Sequence, residues 1–93
     1  MSDRGTGITT RQIRGAPREA VFVWCNGDVR YPQALAKTLG RSDLVVRPLS
    51  WLQPGNVMGR TFTGVVVDHA AEIGDNERET LDYLRLRLVP VAT

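Results

Sequence analysis

Two short apolar runs, each followed directly by polar residues, most constrain what this chain can fold into. Residues 20–25 precede Asn26 and Asp28, and residues 64–67 precede Asp68. Runs that are apolar throughout are typical of strands buried on both faces, and such strands occur mainly in parallel sheets. Because ligands of open parallel sheets bind at the carboxyl ends of the strands, the polar residues mark a candidate site.

The length of 93 residues predicts a single domain. Residues 1–8 lack an apolar stretch, and we expect a mobile tail there rather than a signal peptide, followed by one α/β domain over residues 9–93. No apolar run reaches about 18 residues, so we expect no membrane span. The single cysteine, Cys25, excludes an internal disulfide and a cysteine-rich zinc site, and it favours a reducing, cytoplasmic setting.

The chain is weakly basic, with a formal net charge of +2. Arginine supplies every basic residue except Lys37, and its planar fork suits phosphate and carboxylate recognition. A dedicated nucleic-acid binder carries a stronger basic patch, so the charge favours a protein partner. The cluster of Arg11, Arg14 and Arg18 leaves two interpretations open, a phosphate-contacting patch or a solvated rim.

The hydrophobic spacing predicts a strand, a helix and a second strand, followed by a third strand and a final helix. The first strand covers residues 20–25, a helix begins at Pro32 and stops at Gly40, and the second strand covers residues 43–47. We expect a threonine hydroxyl to cap a preceding short helix over residues 9–14. These elements predict a small Rossmann-like α/β domain, with a three-stranded, mainly parallel sheet, a crossover helix and a C-terminal helix.

The chain after the second strand is harder to assign. Residues 49–63 form a long loop, and loops of this length inside a compact domain are often functional. Trp51 is expected either to pin the loop to the core or to stack on a ligand. An antiparallel direction stays open for the third strand, because the loop before it is long. Asn76 and Glu79 suggest a capping box at the start of the last helix, whereas residues 84–88 alternate as a strand would.

The segment from Val65 to Asp68 resembles the second nucleotide-site motif of P-loop NTPases and helicases, in which an apolar strand ends in an acidic residue that holds magnesium. The resemblance covers residues 20–70 and implies a nucleotide-binding fold with Asp68 at the acidic position. That family has a glycine-rich, lysine-containing phosphate loop after the first strand. This chain has the segment from Asn26 to Tyr31 there, with one glycine and no lysine, so the resemblance implies a degenerate core that cannot hydrolyse ATP alone.

If the first and third strands are neighbours, several polar side chains meet at one sheet edge: Cys25, Asn26, Asp28, Asp68, His69 and Glu72. His69 with Asp68 or Asp28 would suit a general-base or metal site, and the alternative is that these residues supply the turns that strand ends need. Neighbouring residues of a strand point to opposite faces, so Asp68 and His69 need a local bend to face one substrate. The pair of Cys25 and His69 has no spacing typical of nucleophilic catalysis, and the sequence has no Gly-x-Ser-x-Gly motif.

The patterns are compatible with three functions. The first is a non-catalytic interaction module that needs no cofactor and binds another macromolecule, most directly a protein, as accessory proteins of phages and mobile elements do. The second is a nucleic-acid binder that uses Arg11, Arg14 and Arg18 together with Arg30 and Arg60. The third is a small metal-dependent hydrolase at the polar sheet edge. Self-association as a homodimer is expected through a sheet edge or the last helix.

Overall fold

A computed structural model describes residues 6–89, and this part of the chain contains three strands and four α-helices. The strands are β1 (Val21–Trp24), β2 (Val45–Pro48) and β3 (Val65–Val67). The helices are α1 (Thr6–Gly15), α2 (Arg30–Thr38), α3 (Pro54–Val57) and α4 (Asp75–Leu86). A 3₁₀ turn, Leu49–Trp51, precedes α3. Within residues 6–89, no helix has the length and apolar character that crossing a bilayer requires.

The sheet is open and parallel, with the strand order β2-β1-β3. Val21 of β1 is in register with Val45 of β2 and with Val65 of β3, and both pairings are parallel. The third strand, whose direction the sequence left open, is therefore parallel, and the predicted Rossmann-like α/β class is confirmed. The chain segment after β1 crosses to one face of the sheet, and the segment after β3 crosses to the other face. Such a change of direction between neighbouring strands opens a crevice at their carboxyl ends.

Alternate side chains of β1 face two different layers of helices. Phe22 belongs to a buried cluster with α1 and α2, whereas Val23 belongs to a buried cluster with α3 and α4. Both side chains are fully buried. Burial on both faces explains why the run is apolar throughout instead of alternating with polar residues. The buried helical partners are Ile13 and Ala36 in the first cluster and Val57, Leu81 and Leu84 in the second.

The first helix differs from its expected form at its start. α1 begins at Thr6 and so includes residues 6–8 of the expected tail, while residues 1–5 lie outside the described part. The expected threonine cap is wrong, because Thr9 and Thr10 lie inside α1. The reason is a tertiary contact, since the Thr9 hydroxyl donates to the Asp68 carboxylate at 3.1 Å and therefore faces the sheet.

The last helix also begins differently from the expected form. The N-cap of α4 is Gly74, whose backbone is extended (φ −82°, ψ 178°) and which provides no side-chain cap. The expected capping box of Asn76 and Glu79 is therefore wrong. Asn76 already lies in the first turn, where its carbonyl accepts a hydrogen bond from the Thr80 hydroxyl at 3.2 Å.

The chain changes from helix to strand-like pairing just after α4. The helix ends at Leu86, and Leu88 then forms an isolated parallel bridge with Phe62, with the Val89 N–H donating to the Phe62 carbonyl at 2.8 Å. The period-two pattern of residues 84–88 thus covers the end of a helix and the start of a strand-like contact.

Arg41 joins the C-terminal end of α1 to the turn before β2. Its guanidinium pairs with Asp43 through two hydrogen bonds of 3.1 Å, and Asp43 also accepts the Glu19 N–H at 2.8 Å. Glu19 has a left-handed backbone (φ 64°), which this hydrogen bond helps to hold. The last carbonyls of a helix have no partner within the helix, so Arg41 fixes the end of α1 by supplying donors there. It donates to carbonyls of the last turn, at Ile13 (2.8 Å) and Arg14 (3.1 Å), and to those just after the helix, at Ala16 (3.0 Å) and Pro17 (3.2 Å).

The pairing of Arg41 with Asp43 predicts a specific sensitivity to acid. Hydrogen bonds from the Arg41 side chain and then from the Glu19 N–H lower the pKa of Asp43 from 3.8 to about 2. Because the pKa is lower in the folded state, the stabilisation is complete above about pH 4 and is lost as the pH falls towards about 2. We expect the free energy of unfolding to fall by about 1 kcal/mol through this group, because the pair is partly exposed to solvent.

Urea unfolding at several pH values between about 5 and 2 measures this effect. Asp43→Asn is the matched variant, since the amide does not titrate. Its free energy of unfolding should be lower than that of the wild type at neutral pH and should change less across the acid range. The same pH dependence in both proteins would contradict the assignment to Asp43.

Candidate functional site

The polar residues that follow β1 and β3 meet at the carboxyl edge of the sheet. The Asp68 N–H donates to the Val23 carbonyl at 2.9 Å, which continues the pairing of the two strands beyond β3. The charge of Asp68 also acts on the thiol of Cys25, because it raises the pKa of that thiol. Cys25, Asp68 and His69 therefore form one group, which we call the edge cluster.

Asp68 is the most buried member of the edge cluster, with 2% of its surface exposed. Its Oδ1 accepts the Thr9 hydroxyl and its Oδ2 accepts the Ala70 N–H, each at 3.1 Å. Burying a carboxylate without partners is strongly unfavourable, so these donors explain how Asp68 is tolerated there. Both carboxylate oxygens are thus bonded to groups that hold the local structure.

The chain bends directly after β3, so the side chains of Asp68 and His69 can lie on the same side. β3 ends at Val67, and the Ala71 N–H donates to the Asp68 carbonyl at 3.0 Å, which closes a turn. The alternation of side chains between two faces applies only within the strand. The turn therefore brings the His69 Nδ1 to 3.5 Å from the Asp68 Oδ1.

Gln12 of α1 connects the helix to the same end of β3. Its side-chain Nε2 donates to the Val67 carbonyl at 2.8 Å, and its Oε1 accepts the His69 N–H at 3.1 Å. Thr9 and Gln12 are three residues apart on α1 and therefore share a face. The sequence did not predict that Thr9 and Gln12 contact the sheet edge. Two polar residues on the helix face that also carries buried Ile13 are nevertheless a detectable signal of such a contact.

The thiol of Cys25 is held in its protonated form. Burial raises its pKa above 9.0, and the charge of Asp68 raises it further. A protonated thiol is a weak nucleophile and a weak metal ligand. Cys25 is half-buried just after β1, where a protonated thiol packs as a small apolar group.

The loop after β1 is closed by its own side chains. The Asn26 Oδ1 accepts the Asp28 N–H at 3.0 Å, and the Asp28 Oδ1 accepts the Arg30 N–H at 3.1 Å, at the start of α2. The Arg30 side chain bonds both carboxylate oxygens of Asp28, at 3.0 and 2.7 Å, and it lowers the pKa of that carboxyl. Asp28 is exposed and paired with Arg30, so its carboxylate is turned to the first turn of α2.

The predicted convergence of polar residues is therefore only partial. Cys25, Asp68 and His69 come together, whereas Asp28 pairs with Arg30, and Glu72 is exposed with no ion pair to any residue in 6–89. Within the described residues, no three His, Cys, Asp or Glu side chains are grouped so that they could hold a metal ion.

Trp51 packs as the structural interpretation expects. Its ring meets the Phe62 ring edge-on, with the centroids 5.7 Å apart, and it borders the buried cluster of the α3–α4 side. The Trp51 carbonyl also accepts the Asn56 side-chain N–H at 2.9 Å. These contacts fix the segment that connects β2 to β3, which contains the 3₁₀ turn and α3 rather than an irregular loop.

A groove of about 520 Å³ lies between α3 and the first half of α4. Its apolar surface is provided by Leu52, Pro54, Met58 and Tyr83, and its acidic rim by Glu77 and Glu79. Met58 is 59% exposed, and it adds to the apolar surface that the other groove residues provide. One wall comes from the long connection between β2 and β3, whose length marked it as a candidate functional segment. We call this feature the α3–α4 groove.

The two halves of the described chain carry opposite net charges. Residues 6–48, which supply α1 and α2, contain seven basic and three acidic residues. Residues 49–89, which supply α3 and α4, contain four basic and six acidic residues. Because α1 and α2 pack on one face of the sheet and α3 and α4 on the other, one face is basic and the opposite face is acidic.

The arginine cluster of the sequence is divided by the end of α1. Ile8, Arg11 and Arg14 are exposed and follow one another at a spacing of three residues, so they share the outer face of the helix. Arg18 is also exposed but lies beyond Gly15, where the helix ends. We call the row of Ile8, Arg11 and Arg14 the basic ridge.

Comparisons with protein-family models, with curated proteins and with solved structures gave no match for this chain. The resemblance of the segment ending at Asp68 to P-loop NTPases therefore stays a prediction. What the chain does has to be inferred from its own residues, above all from the α3–α4 groove, the basic ridge and the edge cluster.

Proposed function

We propose that this chain is a non-catalytic protein-binding module, and that its partner binds in the α3–α4 groove. The observation that carries the proposal is the exposed side chain of Met58, together with the half-buried ring of Tyr83, beside the carboxylates of Glu77 and Glu79. Protein interfaces combine buried apolar anchors with a charged rim in this way. The groove is large enough to receive one or two side chains of a partner.

The chemistry of the groove wall also favours a protein partner. Methionine is flexible and polarizable, so Met58 can adapt to the shape of an incoming apolar side chain. Tyrosine is enriched at protein interfaces, because it offers a large apolar ring and a polar end. The acidic rim favours a partner that carries arginine or lysine next to its apolar anchor.

The edge cluster supports binding rather than catalysis as the role of this fold. Asp68 uses its carboxylate oxygens to hold Thr9 and the turn after β3, and Gln12 fixes the same turn from α1. The protonated thiol of Cys25 is poorly suited to attack a substrate. These hydrogen bonds stabilise the fold at the carboxyl edge of the sheet.

A second candidate function is favoured by the basic ridge. Arg11 and Arg14 are exposed on one face of α1, with Lys37 exposed on α2 in the same layer. Such a surface can neutralise phosphates, and nucleic-acid binding through it would weaken steeply with salt. The crosslinking experiment described below distinguishes this function from the first.

The other sequence-based predictions remain proposals of lower rank. The Asp28 carboxylate occupies the N-terminus of α2, where P-loop proteins hold a phosphate. This position supports the proposal that the chain resembles a P-loop core that has lost its phosphate site. A metal-dependent hydrolase and an accessory role in phages or mobile elements have no contact in the structure to support them. We propose a reducing cytoplasm as the setting, because Cys25 is a free thiol.

Site-specific photocrosslinking in the native cells tests the proposed function. A photoreactive phenylalanine analogue replaces Met58 in the groove, and in a matched variant it replaces Leu86, which is even more exposed but lies outside the groove. We expect crosslinks to a protein from position 58 and several-fold fewer from position 86. A third variant carries the probe at Arg14 on the basic ridge.

The outcomes separate the candidate functions. Protein crosslinks that form from position 58 and are lost when Glu77 is changed to lysine support the groove as the binding site. Equal crosslinking from positions 58 and 86 would contradict the proposal. Crosslinks to nucleic acid from position 14, with none to protein from position 58, would favour the second function instead.

A further inference from the structure

We infer that the α3–α4 groove receives the basic ridge of a second copy of this chain, so that copies associate head to tail. This inference rests on the proposed function of the groove and names its partner. The structure places an acidic, partly apolar groove on one face of the sheet and a basic ridge with an exposed isoleucine on the other.

The charges of the two surfaces are complementary and unused within the described residues. The ion pairs of residues 6–89 are Asp28–Arg30, Arg41–Asp43 and the contact of His69 with Asp68. Neither the arginines of the ridge nor the glutamates of the groove rim take part in them. Two arginines opposite two glutamates would give an interface that is attractive at low salt and screened at high salt.

The apolar parts of the two surfaces are also complementary. Ile8 is 39% exposed on the ridge, and Met58 is 59% exposed at the groove. Along an α-helix, Ile8 and Arg14 are separated by roughly 9 Å, so an isoleucine in the groove leaves the following arginines beside the rim. Contact between Ile8 and the Met58 side chain would remove apolar surface from water on both copies.

The position of the two surfaces determines the kind of assembly. Ile13 of α1 packs on the Phe22 face of the sheet, whereas Leu81 of α4 packs on the Val23 face. The ridge and the groove therefore lie on opposite sides of one molecule, and each copy can use both at the same time. Such a contact is heterologous, and it produces rings or open stacks instead of a two-fold dimer.

Sedimentation velocity of the full chain over a range of concentrations tests the inference. At low salt we expect the average mass to rise above the monomer at roughly 100 µM protein, because an interface of this small size is weak. The mass should pass that of a dimer without a plateau. Raising the salt to about 0.5 M should return the chain to the monomer, because screening removes the attraction.

Charge reversal of either surface provides the decisive variants. Arg11→Glu with Arg14→Glu, and separately Glu77→Arg with Glu79→Arg, should each raise the apparent Kd at least about tenfold. Mixing the two variants should restore association, because the ridge of the second then meets the intact groove of the first. Restored association also shows that both variants are folded.

Lys37→Glu with Arg85→Glu is the matched control for the ridge variant. It changes the net charge by the same amount at two exposed residues outside the ridge and the groove, and it should associate like the wild type. If the control loses association as fully as the ridge variant, the effect comes from net charge and the inference is wrong.

Three further results would overturn the inference. The first is a wild type that stays at the monomer mass at the highest concentration, and the second is normal association of the reversal variants. The third is a mass increase that disappears after nuclease treatment, which would assign the ridge to nucleic acid. If the wild type is monomeric but position 58 still crosslinks to a different protein, this inference fails while the proposed function of the groove stands.

Discussion

Replacing Arg41 with alanine is expected to lower the free energy of unfolding by about 2–4 kcal/mol, because hydrogen bonds to a charged group contribute more than neutral ones. The guanidinium donates to four backbone carbonyls at the end of α1 and pairs with Asp43. Removing it leaves the partly buried Ala16 carbonyl without its side-chain donor and leaves Asp43 without its partner, whereas the Ile13 and Pro17 carbonyls each keep a backbone N–H donor. Urea unfolding measures the loss, and hydrogen exchange should show that the amides of α1 lose protection first.

Two comparisons separate the role of the guanidinium from the role of charge. Arg41→Lys keeps the charge, but its three donors sit on one nitrogen and cannot span the carbonyls and Asp43 as the guanidinium does, so its loss of stability should be close to that of alanine. Arg14→Ala removes an exposed side chain of the same helix and keeps the backbone carbonyl that Arg41 binds, so it should change stability little. If Arg41→Lys retains the full stability of the wild type, the multiple hydrogen bonds do not explain the effect.

The class of fold was predictable from the sequence because the strands are buried on both faces. The apolar run that contains Phe22 and Val23 does not alternate with polar residues. A strand of that kind is buried on both faces, which a parallel sheet between two helical layers provides. Cys25, Asp68 and His69 come together for the same reason, since parallel strands end at one edge, whereas Asp28 and Glu72 do not join them. The bounds were less predictable, because β3 is only three residues long and tertiary contacts decide where it stops.

The contacts that attach α1 to the rest of the fold could not be predicted from the sequence. Arg41 binds carbonyls that lie 24 to 28 residues away in the chain, and no local pattern reports such a pairing. The Thr9 hydroxyl looked like a helix cap, yet it faces Asp68, 59 residues later. A capping preference is worth about 1 kcal/mol, so a buried carboxylate that needs a donor can override it.

The α3–α4 groove was hidden for a different reason. Its walls come from two segments, the connection between β2 and β3 and the first half of α4, and each looked ordinary alone. Length alone marked the connection as a candidate functional segment. The separation of charge between the two faces of the sheet also appears only when the helices are assigned to layers, because the chain as a whole carries a net charge of only +2.

Replacing Asp68 with alanine should also cost about 2–4 kcal/mol, because it leaves one buried and one partly buried donor without acceptors. The donors are the Thr9 hydroxyl, in a residue that is 3% exposed, and the Ala70 N–H. Asp68→Asn keeps the shape and one acceptor oxygen, so we expect an intermediate loss. Urea unfolding of the two variants measures the order, and an asparagine variant as unstable as the alanine variant would show that charge, not hydrogen-bond acceptance, is required at this position.

A double-mutant cycle with Thr9→Val tests whether Asp68 acts on the fold through Thr9. Valine has the shape of threonine without the hydroxyl, so Thr9→Val removes the donor and costs about 1 kcal/mol by itself. The double variant should be about 1 kcal/mol more stable than the sum of the two single losses predicts, because the missing contact is counted twice in that sum. Additive losses would mean that Asp68 stabilises the chain without Thr9. A residue kept for catalysis shows the opposite behaviour, since removing a catalytic carboxylate from a buried site usually raises stability.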